Sequence, residues 1–141
     1  MTYYTSDDAL EQATAPLYNR AWFDLNSRAI VPLGSNRAND NFSRWGAPEF
    51  TNFKVTAVSE NLANAWTGFY SVITMANAVI SDVQTKCSNS VSERAKRTAI
   101  AEARLMRACA YFYMVRLWGP VIIIEDNDKV AVSYTHLRAH E

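Results

Sequence analysis

From Ser59 onward, apolar residues recur at Leu62, Trp66, Phe69, Ile73, Ala76, Ile80 and Val83, in alternating steps of four and three without a miss. That spacing predicts a long helix with a buried seam, and a seam can be buried only by other helices. The pattern lasts three heptads and lacks the flanking charges of a coiled coil, so globular helix packing is expected. Asn77 sits beside the seam, where a hydrogen-bonded amide can fix register. This one element constrains the rest of the chain toward an all-α fold.

Two further helices are legible. "TSDD" reads as a capping box with Thr5 as N-cap and Asp8 three residues on. Leu10, Ala13, Leu17, Tyr18, Ala21, Trp22 and Leu25 then follow at helical spacing, and Pro16 predicts a kink or break. A second capping box, Ser90 to Glu93, opens "VSERAKRTAIAEARLMRACAYFYMVRLW". Gly119 is placed to end that helix and Pro120 to stop it. Its second half is apolar on most sides, at Leu105, Met106, Ala108, Tyr111, Phe112, Met114, Val115, Leu117 and Trp118. Two preceding helices and a loop are too little to cover it. "VIII" after Pro120 reads as a short strand or extended segment, with nothing following to pair with it.

Residues 29–58 read as a long loop rich in Asn, Ser, Asp, Pro and Gly. A stretch of this length without regular structure is often functional. Phe42, Trp45, Phe50 and Phe53 lie in it, and such aromatics either pin the loop to the core or face a ligand. Arg37, Asn39, Asp40, Arg44 and Trp45 set hydrogen-bonding groups beside an indole. A sugar offers the matching surfaces, hydroxyls around an apolar C–H face.

Charge and composition exclude several classes. The chain has 14 basic and 14 acidic residues and no basic block, so nucleic acid is not an expected partner. No apolar run reaches the roughly 20 residues of a membrane helix. "MTYYTSDDAL" has neither the basic nor the apolar region of a signal peptide, which taken literally points to the cytoplasm. Cys87 and Cys109 are too few for a disulfide framework and read as small packed hydrophobes. No nucleophile–base pair, ligand cluster or phosphate loop argues for catalysis or a cofactor.

The only two histidines, His136 and His140, are four apart, the spacing of a helical zinc site. They lie in "VSYTHLRAHE", residues 132–141, which can be encoded by a string similar to a transposase-type sequencing adapter. That tail is therefore expected to be a non-native scar, its histidines accidental, and no metal is expected.

Two stretches carry a family resemblance. "WTGFYSVITMANAVISDV" places Trp66, Tyr70, Ile73 and Asn77 in a W-x-x-x-Y-x-x-I-x-x-x-N pattern. "AEARLMRACAYFYMVRLWGPV" places Glu102, Ala103, Arg104, Arg107, Ala108, Tyr111, Phe112, Arg116 and Gly119 in an E-A-R-x-x-R-A-x-x-Y/F-F-x-x-x-R-x-x-G pattern. In this order they resemble SusD/RagB-type proteins, the surface nutrient-binding lipoproteins of Bacteroidota. The opening "YTSDDALEQATAPLYN" is also similar, and the resemblance covers roughly residues 3–131.

It implies the N-terminal part of an all-α, TPR-type helical scaffold with a long loop after the first helix. It implies a non-enzymatic protein that binds glycans or other nutrients and delivers them to a SusC-like TonB-dependent transporter. It places the intact parent on the cell surface at the outer membrane, attached only through a lipid anchor missing from this chain. Trp66, Tyr70, Asn77, Glu102, Arg104, Arg107 and Gly119 are then scaffold residues, with Arg104 and Arg107 reaching carbonyls or carboxylates of neighbouring segments. The family's glycan site uses the corresponding loop, which agrees with the reading of Arg37, Asn39, Asp40, Arg44 and Trp45. The alternative is a cytoplasmic helical-repeat module that docks a partner protein.

Overall fold

The computed structural model describes residues 3–38, 40–41 and 48–128. The helices are α1 (Asp7–Asp24), a π-helix (Leu25–Asn36), α2 (Pro48–Thr51), α3 (Glu60–Lys86) and α4 (Glu93–Trp118). No strand forms among the described residues, and the fold is all-α.

The seam helix is the centre of the molecule. α3 touches α1, the π-helix and α4. Phe69, Ile73, Ala76 and Val83 of the predicted seam are buried, as is a second stripe at Ala65, Val72 and Val79. Leu62, Trp66 and Ile80 are half-buried at the margin. The second stripe exists because α3 is covered from more than one side. α4 presents Ala99, Ala103, Met106, Ala110 and Met114 to it. Three alanines on that face let the backbones approach closely, while the two methionines fill the gaps.

α1 begins one residue later than the sequence predicts. Ser6, not Thr5, is the cap: its Oγ accepts from Ala9 N at 3.2 Å, and its carbonyl from Leu10 N at 3.3 Å. Thr5 is diverted, because its carbonyl accepts from Ser90 Oγ at 2.7 Å. α1 buries Leu10, Thr14 and Leu17 on one stripe and runs on through Pro16 without the expected break. Pro16 lies on the exposed side, and the carbonyl it deprives of a bond belongs to exposed Gln12. An exposed carbonyl is accessible to water, so the proline costs less than it would on the buried face.

α4 is capped by Ser92, whose Oγ accepts from Ala95 N at 3.1 Å. The expected box at Ser90 and Glu93 does not form. Ser90 instead ties the N-terminal segment, and Glu93 holds Lys96 at 2.9 Å.

The predicted loop over residues 29–58 is shorter than its composition implied. The chain continues past α1 as the π-helix, with Arg37 and Ala38 also helical. Pro32 and Asn36 are buried there, and Ile30 and Leu33 pack against the core. Burial of that stripe outweighs the turn-forming composition around it. α2 is a second departure, a single turn anchored by Phe50, which is 1% exposed.

Gly119 ends α4 at φ +76°, a conformation costly to any residue with a Cβ. The segment after it is extended but joins no strand. Side chains of α3 and α4 hold its backbone instead. Tyr70 Oη donates to Ile122 O at 2.9 Å, Asn77 Nδ2 to Ile124 O at 2.9 Å, and Ile124 N donates to Tyr111 Oη at 2.7 Å.

Candidate functional site

Among the concave regions of the described surface, two join different helices. The first is a groove of about 410 Å³ between the N-terminal halves of α1 and α4, lined by Asp7, Glu11, Thr14, Ser92, Arg94 and Glu102 among others. Asp7 is committed within it: Oδ1 accepts from Ser92 N at 2.8 Å and Oδ2 from Ser92 Oγ at 2.7 Å. Those two bonds hold its carboxyl below the ordinary value. Tyr18 nearby is pushed up, first by desolvation and then by the charge and hydrogen bond of Glu102. The groove thus works chiefly as a joint between two helices.

The second is a pocket of about 360 Å³ lined by Leu33, Arg37, Phe50, Val55, Leu62, Leu117 and Trp118. It joins the π-helix, the residues around α2, and the facing ends of α3 and α4. Its lining is apolar except for one guanidinium. Its volume falls at the lower end of small-ligand sites, roughly 300–1,000 Å³. Arg37 also reaches over the Phe53 ring, with Cζ 5.3 Å from the centroid. Trp118 meets Trp66 edge-on at 5.4 Å and Phe69 at 5.9 Å, so one side of the pocket is braced by an aromatic cluster.

Of the residues expected to meet a ligand, Arg37 and Asp40 are described, and both are exposed. Asp40 N donates to Ser35 O at 3.3 Å, which folds it back toward the π-helix. Asn39, Arg44 and Trp45 lie outside the described residues, as do Phe42, His136, His140 and the whole segment 132–141. Among the described residues no three His, Cys, Asp or Glu side chains cluster as a metal site, and no helix is long and apolar enough to cross a membrane.

The motif residues form a different assembly. Asn77 is 5% exposed and is a hub. Its Oδ1 accepts from Arg107 Nη1 at 2.6 Å, and its Nδ2 also reaches Asn127 Oδ1 at 3.2 Å. Arg107 Nη1 reaches Glu125 O at 3.4 Å, and Asn127 Nδ2 donates to Thr74 O at 2.9 Å. Trp66 is half-buried against Tyr70, ring centroids 5.0 Å apart. Glu102 faces the α1–α4 groove, whereas Arg104 is exposed on α4. Tyr70, Asn77, Arg107 and Tyr111 are spaced to meet one extended segment, and Gly119 turns the chain so that it can be met.

Residues 3–139 match the SusD-like family model described as starch-binding and associating with the outer membrane. The chain belongs to the SusD-like family. It is 70% identical over 129 residues to a SusD-like protein of Bacteroides ovatus, an alignment covering 92% of this chain and 24% of that protein. A SusD-like protein of Formosa agariphila is 25% identical over 131 residues, covering 84% and 24%. One crystal structure superposes with a TM-score of 0.83 at 69% identity, covering 92% of this chain and 25% of its own. A second, solved with a xylogluco-oligosaccharide, superposes at 0.74 with 68% identity, covering 86% and 24%. The chain therefore spans about a quarter of the length of the SusD-like proteins it matches.

Sequence reasoning missed three features of the site. Phe53 carries a positive φ that no glycine signals. The joint between Asp7 and Ser92 links residues 85 apart, and Asn127 joins the Asn77 hub from beyond α4. Asn127 lies in the polar stretch "EDND" that follows Ile124.

Proposed function

We propose that this chain supplies the N-terminal scaffold of a cell-surface protein that binds oligosaccharide without chemically altering it. The observation that carries the reading is the relative solved with a xylogluco-oligosaccharide, which matches most of this chain at 68% identity. The pocket beside Arg37 supports it with a suitable surface, apolar walls and a planar donor group. On this reading Arg37, Asn39, Asp40, Arg44 and Trp45 contribute to the glycan site, the indole offering apolar area and the others hydrogen bonds. The protein sits at the outer membrane through a lipid anchor outside this chain. It delivers its ligand to a SusC-like TonB-dependent transporter. Residues 132–141 are, on the same reading, a non-native tail.

The test uses the full-length polypeptide that carries this sequence. Titration with xylogluco-oligosaccharide and with starch fragments should give binding to at least one of them. Trp45→Ala should abolish that binding with little change in Tm. Loss of binding only together with the fold would remove Trp45 from the site. Co-purification with a TonB-dependent transporter from outer-membrane extracts tests the delivery step.

A further inference from the structure

We propose that the ring of Phe53, flanked by the Arg37 guanidinium, is a stacking platform for one pyranose of the oligosaccharide, a role that rests on the glycan-binding reading above. α2 ends in a paired closure: Lys54 N donates to Glu49 O at 2.8 Å and Phe53 N to Phe50 O at 3.4 Å. That arrangement puts the residue after the cap in the left-handed region, where glycine is usual. Here the position is held by Phe53 at φ +55°, the one non-glycine with positive φ among the described residues. A bulky side chain is strained there. Strain of this kind is retained where the side chain has another use.

Anchoring the turn is not that use. Phe50, three residues earlier, is 1% exposed and anchors it already. Phe53 is 62% exposed, so its ring contributes little to the core. In the same turn Thr51 Oγ1 is buried with no hydrogen-bond partner among the described residues. The turn therefore presents the ring to solvent from a strained left-handed backbone.

What the ring is presented with identifies the ligand class. Arg37 Cζ lies 5.3 Å from the ring centroid, and the same Arg37 lines the 360 Å³ apolar pocket with Leu33, Phe50, Leu62 and Trp118. The guanidinium covers one face of the ring, and the other face of a ring this exposed matches the C–H face of a sugar, whose hydroxyls at the ring edge accept from the N–H fork. A neutral oligosaccharide takes hydrogen bonds and not an ion pair from Arg37. Its affinity should therefore vary little with salt.

Phe53→Gly separates the platform from a structural role, because glycine relieves the left-handed strain while deleting the ring. In the full-length polypeptide, Tm should hold or rise. Affinity for xylogluco-oligosaccharide, measured by calorimetry, should fall about tenfold, the scale of one lost aromatic contact. Phe53→Tyr keeps the ring and should bind like the wild type. Wild-type binding that survives Phe53→Gly unchanged overturns the platform and leaves the glycan-binding reading intact. A fall in Tm together with affinity also overturns it, by making the ring structural. If the wild type binds no oligosaccharide at all, the glycan-binding reading fails and the platform with it.

Discussion

α4 carries two apolar stripes with nearly the same spacing and opposite fates. Ala99, Ala103, Met106, Ala110 and Met114 face α3 and α1, and all are buried. Ala101, Leu105, Ala108, Phe112 and Val115 run along another face at steps of four and three. There Leu105, Phe112 and Val115 are 58%, 52% and 51% exposed. Periodicity states which residues can be buried together, and the neighbours present decide which of them are. The polar contacts of the same helix repeat the contrast. Asn77 and Arg107 meet in a largely buried hub, whereas Asp7 and Ser92 meet at an exposed helix end. One apolar and one polar residue from each environment therefore test whether burial, rather than residue type, sets energetic weight.

Met114→Ala should have the largest effect. The side chain is fully buried, and its truncation leaves a cavity in a core that relaxes only partly. A loss of about 2–5 kcal/mol is expected, read from urea unfolding. A loss below about 1 kcal/mol would break the comparison at its strong end, because the inner stripe would then be no core.

Asn77→Ala should come next. It strips partners from Arg107 Nη1, the Ile124 carbonyl and Asn127 at once. Losing hydrogen bonds among such partly buried groups costs about 1–3 kcal/mol, and bonds to a charged group lie toward the upper end. A double-mutant cycle with Arg107→Ala checks the mechanism. If the effects simply add, the two side chains do not act as one unit.

Phe112→Ala should cost less than Met114→Ala although it removes the larger side chain. Half the ring is already in water. What remains is an edge contact with Tyr113 at 5.5 Å and the Arg116 guanidinium at 5.0 Å. Exposed contacts of that kind contribute about 0.5–1 kcal/mol. Making the same substitution in the full-length polypeptide sharpens the result. A clearly larger loss there would mean that further polypeptide covers the outer stripe.

The sequence made the helices and the central seam legible because both rest on periodicity, a local property. Capping was legible only in kind. The S-x-x-E pattern pointed to Ser90, while contacts from Thr5 and Asp7 leave Ser92 as the cap of α4. Loop composition misled between residues 29 and 38, because burial of Ile30 and Leu33 is decided by the helical core they pack against and not by neighbours in sequence. The site was partly legible. Arg37 was flagged by composition, but its partnership with Phe53 depends on a left-handed backbone that only the closed turn after α2 reveals.

Asp7→Asn should have the smallest effect at neutral pH, and its value lies in its pH dependence. Both carboxylate oxygens accept from Ser92, and the charge also suits the N-terminus of α4. The hydrogen bond from Ser92 N, then that from its hydroxyl, holds the Asp7 pKa below the ordinary 3.8. A folded-state pKa below the unfolded value means that the ionised form favours the fold. The stabilisation is complete above about pH 4 and is lost as pH falls through the depressed folded value. Glu93, lowered by the hydrogen bond and charge of Lys96, titrates in the same direction and steepens acid unfolding in both proteins. The informative quantity is therefore the difference in Tm between wild type and Asp7→Asn across a pH series. That difference should be small and constant near neutrality, because an exposed contact is screened by solvent. It should then shrink below pH 4 as wild-type Asp7 is protonated. A difference that stays constant down to pH 2 would mean that the exposed carboxylate carries no weight in joining α1 to α4.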